Sequence, residues 1–171
     1  YRMTTGMGKS MQELLAASVE LNVVDGVILP NLKMQGTEEA CAYLDEEGRC
    51  SIHPYRPGIC RLFPLGRYYE NGGFSYFLQT GECAKENRSK IKVSKWIDTP
   101  DLTRNQQFTL QWHDLLHAME ERLTGEDEGK QREENLLLLR LFYLLPYEGT
   151  IDFYTQFTER MEHWNGQNGQ I

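Results

Sequence analysis

The sequence predicts an α+β fold: an irregular, cysteine-bearing core with short β-hairpins, followed by a C-terminal set of about three α-helices. Three observations predict it. All four cysteines, Cys41, Cys50, Cys60 and Cys83, fall within one turn-rich stretch of the chain. Two turn signals there, Asp45-Glu-Glu-Gly48 and Asn71-Gly72-Gly73, are flanked by short β-like runs. Beyond Pro100 the apolar residues recur at helical spacing instead. The expected organisation is a cysteine domain over 1–98 and a helical extension over 99–171 packed on it.

Each element has a local reason. Ser10 with Glu13 three residues on forms a capping box, and Met11, Leu14, Leu15 and Val19 predict an amphipathic helix over 11–20. Asp25-Gly26 is a turn signal, and Val27 to Leu29 is a β-like run halted at Pro30-Asn31. Residues 40–44 and 49–52 read as a tight hairpin, with Gly48 at the positive-φ position of its loop. That hairpin brings Cys41 and Cys50 to one end of a ribbon. Pro57 starts a helical turn carrying Cys60, and Pro64 ends it. A second hairpin follows, with Phe74, Tyr76 and Leu78 on one buried face. Residues 86–95 are polar and basic and read as a loop. Thr99-Pro100 opens a long helix with Phe108, Trp112, Leu115, Leu116, Met119 and Leu123 as its stripe. Residues 125–129 read as an exposed linker. Two further helices follow, over 131–145 and 150–164, and the Gly/Gln-rich tail after Asn165 is expected to fray.

Composition excludes several classes of function. The chain has 171 residues, 40% of them apolar, which suffices for a real core. A net charge of −7 argues against nucleic acid or an acidic membrane surface as partner. No apolar run approaches the roughly 20 residues of a membrane span. Four cysteines are few for a disulfide scaffold of this length, so the expected compartment is the reducing cytoplasm.

The cysteines carry the chemistry. Thiolates brought together from turns suit zinc or an iron–sulfur cluster. The spacings lack any Cys-x-x-Cys pair, so the zinc-finger pattern does not apply. Buried free thiols, or a Cys41–Cys50 disulfide, are the other readings of the same residues. His53 reads either as the imidazole that completes a mixed thiolate/imidazole zinc site or as a hydrogen-bonded ring beside Pro54. Arg56 and Arg61 flank Cys60; Arg56 is expected to pair with the acidic residues 45–47, and Arg61 to balance thiolate charge. His113 and His117 share one helix face at i,i+4, but no third ligand accompanies them. No phosphate loop, nucleophile elbow or catalytic carboxylate pair stands out.

The segment Gly-Arg-Cys-Ser-Ile-His-Pro-Tyr-Arg-Pro-Gly-Ile-Cys-Arg-Leu-Phe-Pro, residues 48–64, resembles a known signature. It is similar to the block Gly-x-Cys-x-Ile-(Tyr/His)-x-x-Arg-Pro-x-x-Cys-Arg-x-Phe-Pro of the YkgJ-like cysteine-cluster proteins, a zinc- or iron-chelating family. Cys41 in its short apolar stretch matches the cysteine that precedes that block. The resemblance covers roughly residues 20–100. It implies a metal-binding protein with Cys41, Cys50, Cys60 and Cys83 as ligands of zinc or an iron–sulfur cluster. The implied role is a structural or binding module that presents a surface to a protein partner. The competing reading is an iron–sulfur enzyme or redox protein, by analogy with relatives that resemble protein lysine methylases. A pocket opening onto the cysteines and lined by Tyr55, Phe63, Tyr68 and Tyr76 is what that reading requires. The family pattern opens with a Cys-x-x-Cys-x-x-Cys-Cys run, which this sequence lacks. The expectation is that such a run precedes Tyr1, and that the cysteines present here form an incomplete site.

Overall fold

A computed structural model describes residues 1–82 and 89–168. The architecture is α+β: seven helices and three antiparallel two-stranded sheets among the described residues. The chain forms two compact units, Tyr1–Tyr55 with Leu115–Ile171, and Arg56–Asp114. Each unit draws on residues from both sides of the 98/99 position.

The first unit begins with α1 (Arg2–Met7), which ends at Gly8 in the left-handed region. The expected capping box then starts α2 (Met11–Ala17): Ser10 Oγ accepts the Glu13 N–H, and the Glu13 carboxylate accepts the Ser10 N–H. These bonds hold the Glu13 carboxyl below its ordinary range. The helix stops at Ser18, short of the expected residue 20, because Val19 belongs to a strand. β1 (Val19–Val24) pairs with β2 (Val27–Leu32) through the turn Asp25-Gly26, both residues at positive φ. That turn twists with the strands it joins. Contrary to expectation, β2 runs through Pro30, which opposes Leu21. A two-stranded ribbon has no central strand, so the missing proline N–H interrupts no inner ladder. A short ribbon follows, β3 (Met34–Gln35) with β4 (Ala40–Cys41).

The second unit carries α3 (Gly58–Leu62), with Pro57 at the cap. β5 (Leu65–Glu70) and β6 (Gly73–Leu78) form the expected hairpin around Asn71-Gly72, again both at positive φ. Phe74 and Tyr76 are half-buried on one face beneath the Arg67 guanidinium, while Leu78 at the strand end is exposed. On the other face the Phe77 ring lies over Gly66, its cross-strand partner, where an added Cβ would fall 2.4 Å from the ring. Of the residues 86–95 expected as loop, 93–95 belong to α4 (Val93–Ile97), and 86–88 lie outside the described residues. α5 (Leu102–Leu123) begins two residues later than expected, because Asp101 Oδ1, not Thr99, accepts a first-turn N–H, that of Arg104.

The first unit is completed by α6 (Glu128–Leu139) and α7 (Phe153–Asn168). Asp127 caps α6, so Glu128 and Gly129 are helical rather than linker. Past Leu139 the chain widens into a π-helical turn, Arg140–Leu144. Arg160 meets the carbonyls freed there: its guanidinium donates to Leu141, Leu145 and Pro146 and covers the Tyr147 ring. Asp152 accepts the Tyr154 and Thr155 N–H groups and starts α7 past Ile151; the helix continues to Asn168, into the tail expected to fray, whose last three residues lie outside the described ones. Leu14, Met119, Leu138 and Phe157 are fully buried at the centre, and Phe142 packs on Phe157 and Trp164. No helix among the described residues is long and apolar enough to cross a membrane.

One side chain ties the β1–β2 ribbon to this core. Asn135, on α6, is 3% exposed; its Oδ1 accepts the Ile28 N–H at 2.6 Å and its Nδ2 donates to the Gly26 carbonyl at 3.0 Å. Asn135→Ala orphans both groups, and a half-buried group left unpaired costs about 1–3 kcal/mol. The expected loss in unfolding free energy is about 2 kcal/mol, read as a lower urea midpoint at unchanged slope. Asn31→Ala, at an exposed residue of the same ribbon, should leave the midpoint within about 0.5 kcal/mol of the parent.

Candidate metal-binding site

Two of the four cysteines sit on one loop of the first unit, and the sequence explains how. Cys41 ends β4 opposite Met34. The chain then turns at once, the Leu44 N–H bonding to the Cys41 carbonyl at 3.0 Å. Leu44 in turn opposes Cys50 in a single antiparallel bridge. Both cysteines therefore flank Leu44, one along the chain and one across it. The expected hairpin is reduced to this bridge because residues 41–44 already close a turn of their own and cannot extend.

Asp45 organises the tip. Its Oδ1 accepts the N–H groups of Glu47 at 3.0 Å and Arg49 at 2.8 Å. Its own N–H donates to the Arg49 carbonyl, and its carbonyl accepts the Gly48 N–H. Gly48 takes a φ of 72°, as the turn signal predicts. Below the tip, the Ser51 N–H and hydroxyl both donate to the Tyr43 carbonyl, at 2.8 and 2.9 Å. The Tyr43 hydroxyl lies 2.5 Å from Ser18 Oγ, joining the loop to the end of α2. The His53 N–H donates to the Cys50 carbonyl as the chain enters a tight 3₁₀ turn, His53–Tyr55. The Tyr55 ring of that turn lies flat against Gly6 of α1, where a Cβ would fall 2.2 Å from it. Sequence reasoning named the cysteines and the Asp45-to-Gly48 turn, but not the hydrogen bonds of Asp45, Tyr43 and Ser18 that hold the loop. The Asp45-x-x-Gly48 spacing was the available signal for the first of these.

Cys41 and Cys50 are half-buried free thiols, so no disulfide joins them. The His53 imidazole is exposed. Cys60 lies in the second unit, half-buried on α3. Its neighbour Arg61 does not serve the thiol. The guanidinium is buried and donates to the Ile97 carbonyl at 3.1 Å, the Asp98 carbonyl, and the Asp98 carboxylate at 2.9 Å. It clamps the end of α4, where Asp98 takes a left-handed φ of 47°. Cys83 lies outside the described residues.

The two helix histidines keep local company. The His113 ring stacks on Tyr69 with centroids 3.7 Å apart, and its Nδ1 is 3.3 Å from the Asp114 carboxylate. The His117 nitrogens lie 3.5 and 3.6 Å from the Glu120 and Glu121 carboxylates. Among the described residues, no three side chains of His, Cys, Asp and Glu gather closely enough to hold one metal ion. Cys41 and Cys50 thus share one loop, and thiolates are the donors a soft-metal centre takes. A cavity of about 200 Å³ lies in the first unit beside Thr4, Lys9, Gln12, Tyr143 and Tyr147. Neither Cys41 nor Cys50 lines it.

A family model described as CxxCxxCC, "Putative zinc- or iron-chelating domain", matches residues 7–93. The match takes in half of the chain and all four cysteines, and the chain belongs to this family. No curated protein and no solved structure matches it.

The hydrogen bonds of Asp45 predict how the thiols respond to its loss. Asp45→Ala removes the acceptor for two backbone N–H groups and lowers the local opening free energy by about 1–2 kcal/mol. Alkylation of Cys50 by iodoacetamide should then quicken about 5–30-fold. Asp45→Asn keeps the acceptor oxygen and should react at the parent rate. Equal rates for Asp45→Ala and the parent would show that the carboxylate does not hold the loop.

Proposed function

We propose that this chain is a metal-binding module, YkgJ-like within its family, that holds zinc or iron through the thiolates of Cys41, Cys50, Cys60 and Cys83. The observation that carries this reading is the family match, which spans all four cysteines. The donor chemistry supports it: unbridged, half-buried thiols are soft ligands that suit zinc or an iron–sulfur cluster. The Cys41–Cys50 loop supports it too, because one turn and one bridge bring both cysteines to the same short loop, whose tip Asp45 organises. A reducing compartment such as the cytoplasm keeps such thiols available.

When bound, the metal supplies a cross-link that short ribbons and turns lack. The role that follows is structural. The centre steadies the cysteine-bearing loops, and the surface around them is what a partner protein reads. The chain's own residues contribute the loop geometry at Asp45 and Tyr43 and the clamp of Arg61 on α4.

The test is metal content. Protein purified without oxygen should carry zinc or iron at a level approaching a fixed ratio per chain, measured by elemental analysis. A colourless zinc protein indicates a mononuclear site, and broad visible absorbance with iron indicates a cluster. Cys50→Ser and Cys60→Ser should each lose most of the metal, while Ser51→Ala retains it. A parent protein with neither metal after anaerobic purification would contradict the reading.

A further inference from the structure

The sequence is electrically lopsided. Residues 56–114 carry nine lysines and arginines against six carboxylates, whereas the remainder carries nine against nineteen. One unit is therefore cationic, by three charges, within a chain whose overall net charge is −7. Such fields attract one another between molecules over distances comparable to the screening length.

The cationic unit also exposes a contiguous apolar patch. Ile59 is 70% exposed and Phe63 48% exposed, and the Phe63 N–H bonds to the Ile59 carbonyl, so the two side chains stand one turn apart on α3. The Trp96 indole, 41% exposed, donates to the Phe63 carbonyl at 3.1 Å and extends the patch onto α4. Lys92 and Lys95 are exposed at its border; the Trp96 N–H bonds to the Lys92 carbonyl. The patch thus combines three large apolar side chains with two ammonium groups.

The anionic unit exposes an apolar face of its own. On β1, Leu21 and Val23 point to the same side, 44% and 69% exposed, and oppose Pro30 and Ile28 on β2. Asp25 stands exposed at the turn of that ribbon. Large exposed apolar groups of this kind on a small protein mark surfaces that become covered.

We propose that the chain pairs with a second copy of itself: the Ile59–Phe63–Trp96 patch of one molecule receives the Leu21–Val23 face of the β1–β2 ribbon of the other. The charge signs match, with lysines around the first surface and an excess of carboxylates on the unit that bears the second. The two surfaces differ, so each contact is heterologous, and reciprocal exchange closes a two-fold pair. This inference uses no cysteine, although Ile59 and Phe63 flank Cys60 on α3, so metal content is measured on the Phe63 variant as well.

Complementation between two defective copies tests it. Sedimentation analysis of the intact chain should show a dimer that weakens as salt is raised. Phe63→Ser and Val23→Ser each sit at exposed residues, and circular dichroism should confirm that both variants fold. Each alone should be monomeric at concentrations where the parent is dimeric, with the dissociation constant raised at least about tenfold. Mixed together they should form a one-to-one heterodimer, because one intact patch and one intact ribbon remain. Lys95→Glu should weaken the parent dimer and flatten its salt dependence. A parent that stays monomeric, single variants that still dimerise, or a mixture that fails to associate would each overturn the proposal.

Discussion

An isolated two-stranded ribbon is marginal in water, and the described residues form three of them that share no sheet. Every ribbon therefore depends on something outside its own ladder. For β1–β2 it is the Asn135 side chain, which reaches from α6 to the backbone on either side of the turn. For β5–β6 it is an aromatic face, with Phe74 against both Tyr69 and Tyr76 and Tyr69 stacked on His113 of α5. The cysteine loop that follows β3–β4 is held likewise, by the Asp45 carboxylate at the tip and the Tyr43–Ser18 contact at the base. The helices supply the apolar core, and single polar side chains fasten the irregular parts to it.

That arrangement suits a chain whose functional groups lie in turns. A thiol on a helix or in a broad sheet is fixed by its element; a thiol on a short loop is fixed only by the bonds around it. Cys41 and Cys50 flank Leu44 because one turn and one bridge place them there. Arg61 shows the same economy of means in the second unit: a buried guanidinium next to Cys60 satisfies two carbonyls and a carboxylate at the end of α4. Such clamps fix each loop locally; on the proposed metal reading, binding would be coupled to the final ordering of the loops.

The turns were the most legible part of the fold. Asp25-Gly26, Gly48 and Asn71-Gly72 all take the positive φ that their residue types permit, and the Ser10–Glu13 box opens α2 as read. The errors have physical causes. β1 was hidden in a helical apolar spacing that also fits alternation, and only its pairing with β2 decides between the two. Pro30 read as a stop because the absence of a central strand is not visible locally. Asp101, Asp127 and Asp152 outrank neighbouring candidates as helix caps, which shifted three helix starts. The family was readable from residues 48–64, which hold Cys50 and Cys60. The partners of Arg61 were not, since Asp98 lies 37 residues away and only the fold brings it near.

The claim at the centre of this account is that thiolates of this chain ligate zinc or iron. X-ray absorption at the edge of whichever metal accompanies the purified protein counts its sulfur neighbours directly. The account predicts a sulfur-dominated first shell, at about 2.3 Å if the metal is zinc, that is lost in a variant with Cys41, Cys50 and Cys60 replaced by serine. A first shell made only of nitrogen and oxygen, unchanged by those replacements, would contradict it.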